Sequence, residues 1–499
     1  MRKEKLIAKW MKLITSRLFA VGILIALQLL LILAAVMQFA RYYLLFDLVS
    51  TVIALAFVLH IIRTSRSMAY KLAWIVLILI LPAFGAAVYL IFCGSRLSKE
   101  SRRAMERTDD ARRIPMPERE IPYDPQAGYL LNAAGCPLYT DTETRYYPSG
   151  EEFFGALTRE LKTARKYIFL EYFIIADGEM WSEIREILAR KAADGVDVRV
   201  IADDFGCIRR LSRRFPEQMK RDGIRAAVFH RFIPVLSALQ NNRDHRKICV
   251  IDGRTAFTGG INLADEYINR TSRFGHWKDS AVMLKGPAVH SFTVMFLRMW
   301  DYITGESSGE FPPASTEHDA SGTVQPYCDS PLDDEAVGEN VYLGVIGEAK
   351  ERLWIMTPYL ILSEAMERAL IRAAKSGVDV RVITPGIPDK KLVFETTRAN
   401  YPALLSGGVR IWEYTPGFLH AKTVLADDSV GVVGTVNLDY RSLYLHFECG
   451  VRMKDTDAVG EIRRDFLRTF EVSREITEMK PGFFRRILHA VLQLLSPLF

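Results

Sequence analysis

The heptapeptide GVDVRVI stands at residues 195–201 and again, letter for letter, at residues 377–383. Each copy follows a segment with helical spacing of apolar residues, WSEIREILARKAAD in the first case and EAMERALIRAAKS in the second. Ahead of each helix lies an apolar run with strand character, YIFLEYFII from Tyr167 and RLWIMTPYLIL from Arg352. Strand, helix and strand in that order make a βαβ unit, so the chain is predicted to be α/β with an at least partly parallel sheet. Two copies 182 positions apart mean a duplicated domain and not a solenoid. Residues 305–322, rich in Gly, Ser, Pro and acids, read as the linker between the copies.

After each βαβ unit comes the same spaced triplet, His-x-Lys-x-x-x-x-Asp. The first is His245, Lys247 and Asp252 in HRKICVID; the second is His420, Lys422 and Asp427 in HAKTVLAD. Chance predicts roughly 0.02–0.03 such triplets in a chain of this composition, so two of them in register with an independent repeat are a strong signal. KICVID and KTVLAD read as short strands, on which side chains two apart share a face. His and Lys of each triplet are therefore expected to point into one pocket, with Asp at the far end beside a turn. Seventeen residues after each His stands an Asn, Asn262 in TGGIN and Asn437 in VGTVN, where amide donors can meet a phosphate oxygen. Two lysines and two asparagines supply charge and donors for a phosphodiester; a histidine can attack phosphorus or move a proton near neutral pH. Neither half holds enough groups for both tasks, so the two halves are expected to build one active site.

The paired HxKxxxxD triplets resemble the signature of the phospholipase D superfamily, over roughly residues 139–465. Within it the chain is most similar to the bacterial cardiolipin synthases, through AYKLAW, LPAFG, FLEYFI, HRKICVIDG, TGGIN, HWKDS, GPAV, TPYLI, HAKTVLAD, GTVNLDYRSL and a final SPLF. The resemblance implies two phospholipase D-like repeats, each a mixed sheet flanked by helices, sharing one site. It implies transfer of a phosphatidyl group from one phosphatidylglycerol to another, giving cardiolipin and glycerol with no cofactor and no metal. The alternative products are those of a hydrolase, or of a transphosphatidylase using another alcohol. By family habit His245 is the nucleophile and His420 the acid and base; Lys247, Lys422, Asn262 and Asn437 bind phosphate; Asp252 and Asp427 complete the motifs and organise their loops. A downstream acid is expected behind each histidine, Glu448 for His420 and Asp279 for His245. Two positions depart from the family pattern. His446-Phe447-Glu448 replaces Asn-Phe-Glu, and Gly260 stands where many superfamily members have Ser.

Outside the repeats the chain is apolar at one end and amphipathic at the other. Residues 18–40 carry no charge, residues 44–62 only Asp47 and His60 as titratable groups, and residues 72–93 contain Pro82 and Gly85. Each run is of the length that crosses a bilayer. The expected organisation is a transmembrane region over 1–93, a basic juxtamembrane linker over 94–126 and repeat 1 over 127–304. A linker over 305–330, repeat 2 over 331–480 and an amphipathic tail over 481–499 follow. Phosphatidylglycerol, cardiolipin and the bilayer are the expected partners; a net charge of only +6 and no basic, aromatic-interleaved groove argue against nucleic acid. The six cysteines form no CxxC pair and read as free thiols of a reducing compartment. Three full crossings leave the basic residues divided between the two faces. A catalytic region facing the cytoplasm therefore requires one run to be re-entrant, and residues 44–62, the shortest, are the choice from sequence.

Overall fold

The computed structural model describes residues 17–39, 43–64, 67–92, 99–114, 124–232, 241–314, 319–333 and 335–498. Cys93, residues 94–98 and 115–123 of the expected linker, and the basic residues before Arg17 lie outside them. The chain divides into two compact units. One comprises residues 1–97, 231–242 and 497–499, the other residues 98–230 and 243–496.

The first unit is helical: α1 (Arg17–Phe39), α2 (Tyr43–Ile62), α3 (Met68–Ile80) and α4 (Pro82–Phe92). Among the described residues one helix is long and apolar enough to cross a membrane, through Leu45–Ile62 with a mean hydropathy of 2.3. The third apolar run is not one helix. It breaks at Leu81–Pro82, because Pro82 has no N–H to continue the ladder. Gly85 then lets α4 fold back on α3: a Cβ there would lie 2.7 Å from Ile78 Cα. The broken run is thus the third, whereas the second, chosen from sequence as the re-entrant one, is a single unbroken helix.

In the second unit the duplication is plain. Repeat 1 contributes β1 (Glu143–Tyr147), β2 (Tyr167–Tyr172), β3 (Asp197–Asp203), β4 (Arg225–Phe229), β5 (Arg243–Asp244), β6 (Lys247–Ile251), β7 (Thr255–Gly259), β8 (His276–Lys278) and β9 (Ala281–Lys285). Repeat 2 contributes β10 (Thr323–Asp329), β11 (Arg352–Met356), β12 (Asp379–Pro385), β13 (Arg410–Tyr414), β14 (Gly417–Leu419), β15 (Thr423–Ala426), β16 (Val430–Gly434), β17 (His446–Lys454) and β18 (Ser473–Ile476). The sheets run β1-β9-β7-β6-β2-β3-β4 and β10-β17-β16-β15-β11-β12-β13-β18, the same order strand for strand up to the extra edge strand β18. Both are mixed. β2 pairs parallel with β3 and antiparallel with β6, as β11 does with β12 and β15.

The βαβ crossovers are made by α6 (Glu179–Ala193) and α8 (Glu364–Lys375). Their apolar faces close two separate cores, one holding Trp181, Ile184 and Leu188 and the other Met366 and Leu370. Two stretches expected to be linker are structured. α5 (Lys99–Ala111) lies in the first, and the Arg112 that follows it pairs at 2.6 Å with Asp301 of α7 (Val289–Thr304). Residues 323–329 of the second form β10, where Gln325 and Tyr327 are buried. Only the Gly-, Ser- and Pro-rich composition before residue 323 is linker-like.

Candidate active site

Short parallel pairings stitch the repeats together. β5, just ahead of His245, pairs with the start of β17, and β14, just ahead of His420, pairs with β8. The His245 N–H donates to Phe447 O at 2.9 Å and the His420 N–H to Lys278 O at 2.7 Å. Each histidine is thereby laid against the opposite repeat. Both sit just before their strands, not on them, so strand alternation does not set the direction of His245 and His420. The ammonium of Lys247 turns back to the His245 carbonyl at 2.5 Å, and Lys422 makes the same bond to His420.

This crossing corrects the expected acid pairing. His245 Nδ1 lies 2.9 Å from Glu448 Oε1, and His420 Nδ1 lies 2.7 Å from Asp279 Oδ2. Glu448 therefore serves the histidine of repeat 1 and Asp279 that of repeat 2, the reverse of the within-repeat assignment. Counting residues downstream cannot reveal it, because β17 and β8 each pair with the histidine-bearing segment of the other half. Both acids are fully buried. Burial works to raise them, yet the facing histidine charge and hydrogen bond hold each below its ordinary value. A carboxylate only accepts, so Nδ1 carries the hydrogen in both rings and Nε2 keeps its lone pair.

The cations respond to the same enclosure. Burial pushes His245 down to about 3 and His420 down to about 4, outweighing the acids, so both rings are neutral at pH 7. Burial lowers Lys247 to about 8 and Lys422 to about 7, and the Lys247 charge adds to the depression of both Lys422 and His420. One lysine acting on the other repeat's histidine is what a single site requires. It also fixes a pH dependence. As pH rises through 7 to 8 the free site loses its ammonium charge, so kcat/KM for an anionic substrate should fall there. A bound phosphate favours the ammonium form, so the descending limb of kcat should lie at higher pH. Coincident limbs in initial-rate profiles would contradict this origin.

The asparagines are held ready. Asn262 accepts from the Ile174 N–H at 2.9 Å and donates to Tyr267 Oη at 2.7 Å; Asn437 donates to Ser442 Oγ at 3.0 Å, and its buried Oδ1 has no hydrogen-bond partner among the described residues. Sequence reading missed the aromatic walls. Phe173 lies 5.0 Å from the His245 ring, with the Lys247 ammonium 5.6 Å from it, while Trp277 and Tyr267 lie 5.4 and 5.6 Å from the His420 ring. Phe173 and Trp277 sit in the FLEYFI and HWKDS strings, but nothing local to those strings says which histidine they face.

Both departures from the family pattern gain a location. A Cβ on residue 260 would lie 2.0 Å from Asp279 Oδ1, so a larger residue there would displace that carboxylate from its present position. At the equivalent place in repeat 2, Thr435 donates to Glu448. His446 Nδ1 is 3.7 Å from Glu448 Oε1, and its ring is 5.4 Å from that of His245. Among the described residues, His245, His446 and Glu448 are the group whose ligand atoms could hold a metal ion, lying within 4.8 Å of one another.

Asp252 and Asp427 stand apart, at the far ends of β6 and the β15 strand. Asp252 accepts from the backbone N–H groups of Arg165, Lys166 and Tyr167 at 2.7–2.9 Å, and Asp427 does the same for Lys350, Glu351 and Arg352. They anchor the start of β2 and β11. Both have positive φ, 55° and 50°, which the short polar side chain of Asp tolerates. Asp252→Ala should therefore cost about 2–4 kcal/mol of stability, read as a lower melting temperature. Turnover below the transition should be preserved; a lost turnover with an unchanged melting curve would place this acid in the chemistry.

Two buried lysines and two neutral imidazoles, given equally by two copies of one α/β repeat, define a duplicated phospholipase D-type fold with a composite site. Residues 157–300 and 342–470 match the family described as cardiolipin synthase, phospholipase D-like domain, and residues 52–92 match a phospholipase D-nuclease N-terminal family. An uncharacterised Streptococcus mutans protein is 45% identical over 459 residues, 88% of this chain and 99% of its own. Cardiolipin synthase 2 of Bacillus cereus is 35% identical across 87% of this chain and 88% of its own. The cardiolipin synthase of Geobacillus thermodenitrificans is 34% identical across 90% and 92%. The phosphatidylserine synthase of Haemophilus influenzae superposes with a TM-score of 0.55 at 15% identity, covering 75% of this chain and 97% of its own, a likeness of fold. The chain belongs to the cardiolipin synthase family of phospholipase D-like proteins.

Proposed function

We propose that this chain is a cardiolipin synthase acting on two molecules of phosphatidylglycerol in turn. The observation that carries the reading is the pair of buried histidines, each oriented by an acid of the other repeat, beside two buried lysines. In the first step His245 Nε2 bonds to phosphorus as the bond to the glycerol headgroup oxygen breaks. That oxygen takes a proton from His420, which the substrate's anionic phosphate and Asp279 keep protonated in the complex. In the second step a headgroup hydroxyl of another phosphatidylglycerol gives its proton to His420 while its oxygen displaces His245 from phosphorus. Lys247, Lys422, Asn262 and Asn437 hold the phosphoryl oxygens as charge develops. Purified protein given headgroup-labelled phosphatidylglycerol in the presence of a chelator should release one glycerol per cardiolipin formed. Phosphatidic acid as the main product would make the protein a hydrolase, and activity that needs a restored divalent ion would overturn the lysine assignment.

The broken third run also supports a membrane topology in which the uncharged sequence at residues 18–40 and helix α2 cross and the α3–α4 pair re-enters on one side. The six basic residues at the N-terminus, three around residues 63–71 and five within 96–107 then share a face, against Arg41 alone on the other. By the positive-inside rule that face, with the catalytic unit, is cytoplasmic. A cysteine placed at Arg113 should resist a membrane-impermeant thiol reagent on intact cells and react after lysis; rapid labelling without lysis would put the unit outside.

A further inference from the structure

The helix α10 (Phe483–Leu495) is packed with its polarity reversed relative to a helix on a soluble surface. Its two buried residues are His489 and Leu492. Arg485 pairs with Glu395 of α9 (Lys391–Ala399) at 2.8 and 2.9 Å, His489 Nε2 lies 3.0 Å from the same carboxylate, and Gln493 donates to Ala399 O at 3.0 Å. The polar stripe is thus fastened to the catalytic unit, and the apolar stripe is turned out. Phe483, Phe484, Ile487, Leu488 and Val491 are 65, 85, 50, 41 and 46% exposed. Leu392, one turn before Glu395 on α9, is 53% exposed as well. Water selects the opposite arrangement, since a surface helix buries its apolar stripe.

We infer that this outward stripe is a second membrane contact of the protein, seated in the headgroup region of an anionic phospholipid bilayer. Charge favours that occupant: Arg486 on α10 and Lys391 beside Leu392 are exposed and in no ion pair among the described residues, placed to reach phosphates while the rings enter the acyl boundary. Connectivity favours it too, because residues 497 and 498, just beyond α10, belong to the compact unit of apolar helices, where Leu498 packs on the cluster of Ala54, Ile61 and Trp74. The catalytic unit is then held to the bilayer at both chain ends, with Glu395 as the clasp that sets the presentation of α10.

The test uses the full chain reconstituted in vesicles of phosphatidylcholine with phosphatidylglycerol. An environment-sensitive fluorophore is placed at Phe484→Cys and, as control, at the exposed Lys375→Cys on α8. The probe at 484 should be quenched by doxyl groups on lipid acyl chains and shielded from aqueous iodide, with the reverse at 375. A probe at 484 open to iodide, or shielded from both quenchers as in a protein–protein contact, would overturn the inference. In parallel, Phe484→Glu with Ile487→Glu should lower synthesis from bilayer phosphatidylglycerol about tenfold and leave the rate on short-chain phosphatidylglycerol in detergent unchanged. Equal losses in both assays, or none in either, would also count against it.

Discussion

Replacing either His245 or His420 with asparagine is expected to reduce glycerol release from phosphatidylglycerol by on the order of 10⁴-fold, and the double replacement should fall no further. The reason is that both rings act on one phosphorus, so removing either disables the whole sequence. An equimolar mixture of the two single variants should stay inactive if each chain builds its own composite site from its own two halves. Unchanged thermal melting should accompany the loss, because both rings lie in the pocket and not in either core. A single variant keeping more than about a tenth of the wild-type rate would mean that the histidines work independently.

The second large effect concerns the crossed acids. Glu448→Gln and Asp279→Asn should each cost on the order of 10²–10⁴ in kcat, since an amide can donate to Nδ1 and so favour the wrong tautomer. The diagnostic is which histidine responds. Diethyl pyrocarbonate modification, mapped by mass spectrometry, should change at His245 in the Glu448 variant and at His420 in the Asp279 variant. The opposite pairing would contradict the interlocked arrangement of β5 with β17 and β14 with β8.

These expectations show where the sequence was informative. The GVDVRVI repeat placed both βαβ units, because a parallel pair needs a crossover helix and the periodicities mark it. The HxKxxxxD spacing singled out His245, Lys247, His420 and Lys422, and the positions of Asn262 and Asn437 followed from the register. What could not be read was anything carried across the two halves. The swap of Glu448 and Asp279, the aromatic walls at Phe173 and Trp277, and the close approach of Gly260 to Asp279 all depend on contacts between segments far apart in the chain. Composition misled in two places. Charged residues 99–111 looked like linker yet form α5, whose following Arg112 meets Asp301, and the apolar run 72–93 looked continuous although Pro82 divides it.

The central claim is that two repeats make one site that carries one phosphatidyl group at a time. It is tested most directly by counting covalent intermediates on the His420→Asn variant with phosphatidyl-p-nitrophenol, whose leaving group needs no proton. The account predicts a burst of one p-nitrophenolate per chain, with the phosphatidyl group recovered on His245 by peptide mapping. Two equivalents per chain, or none on His245, would contradict it.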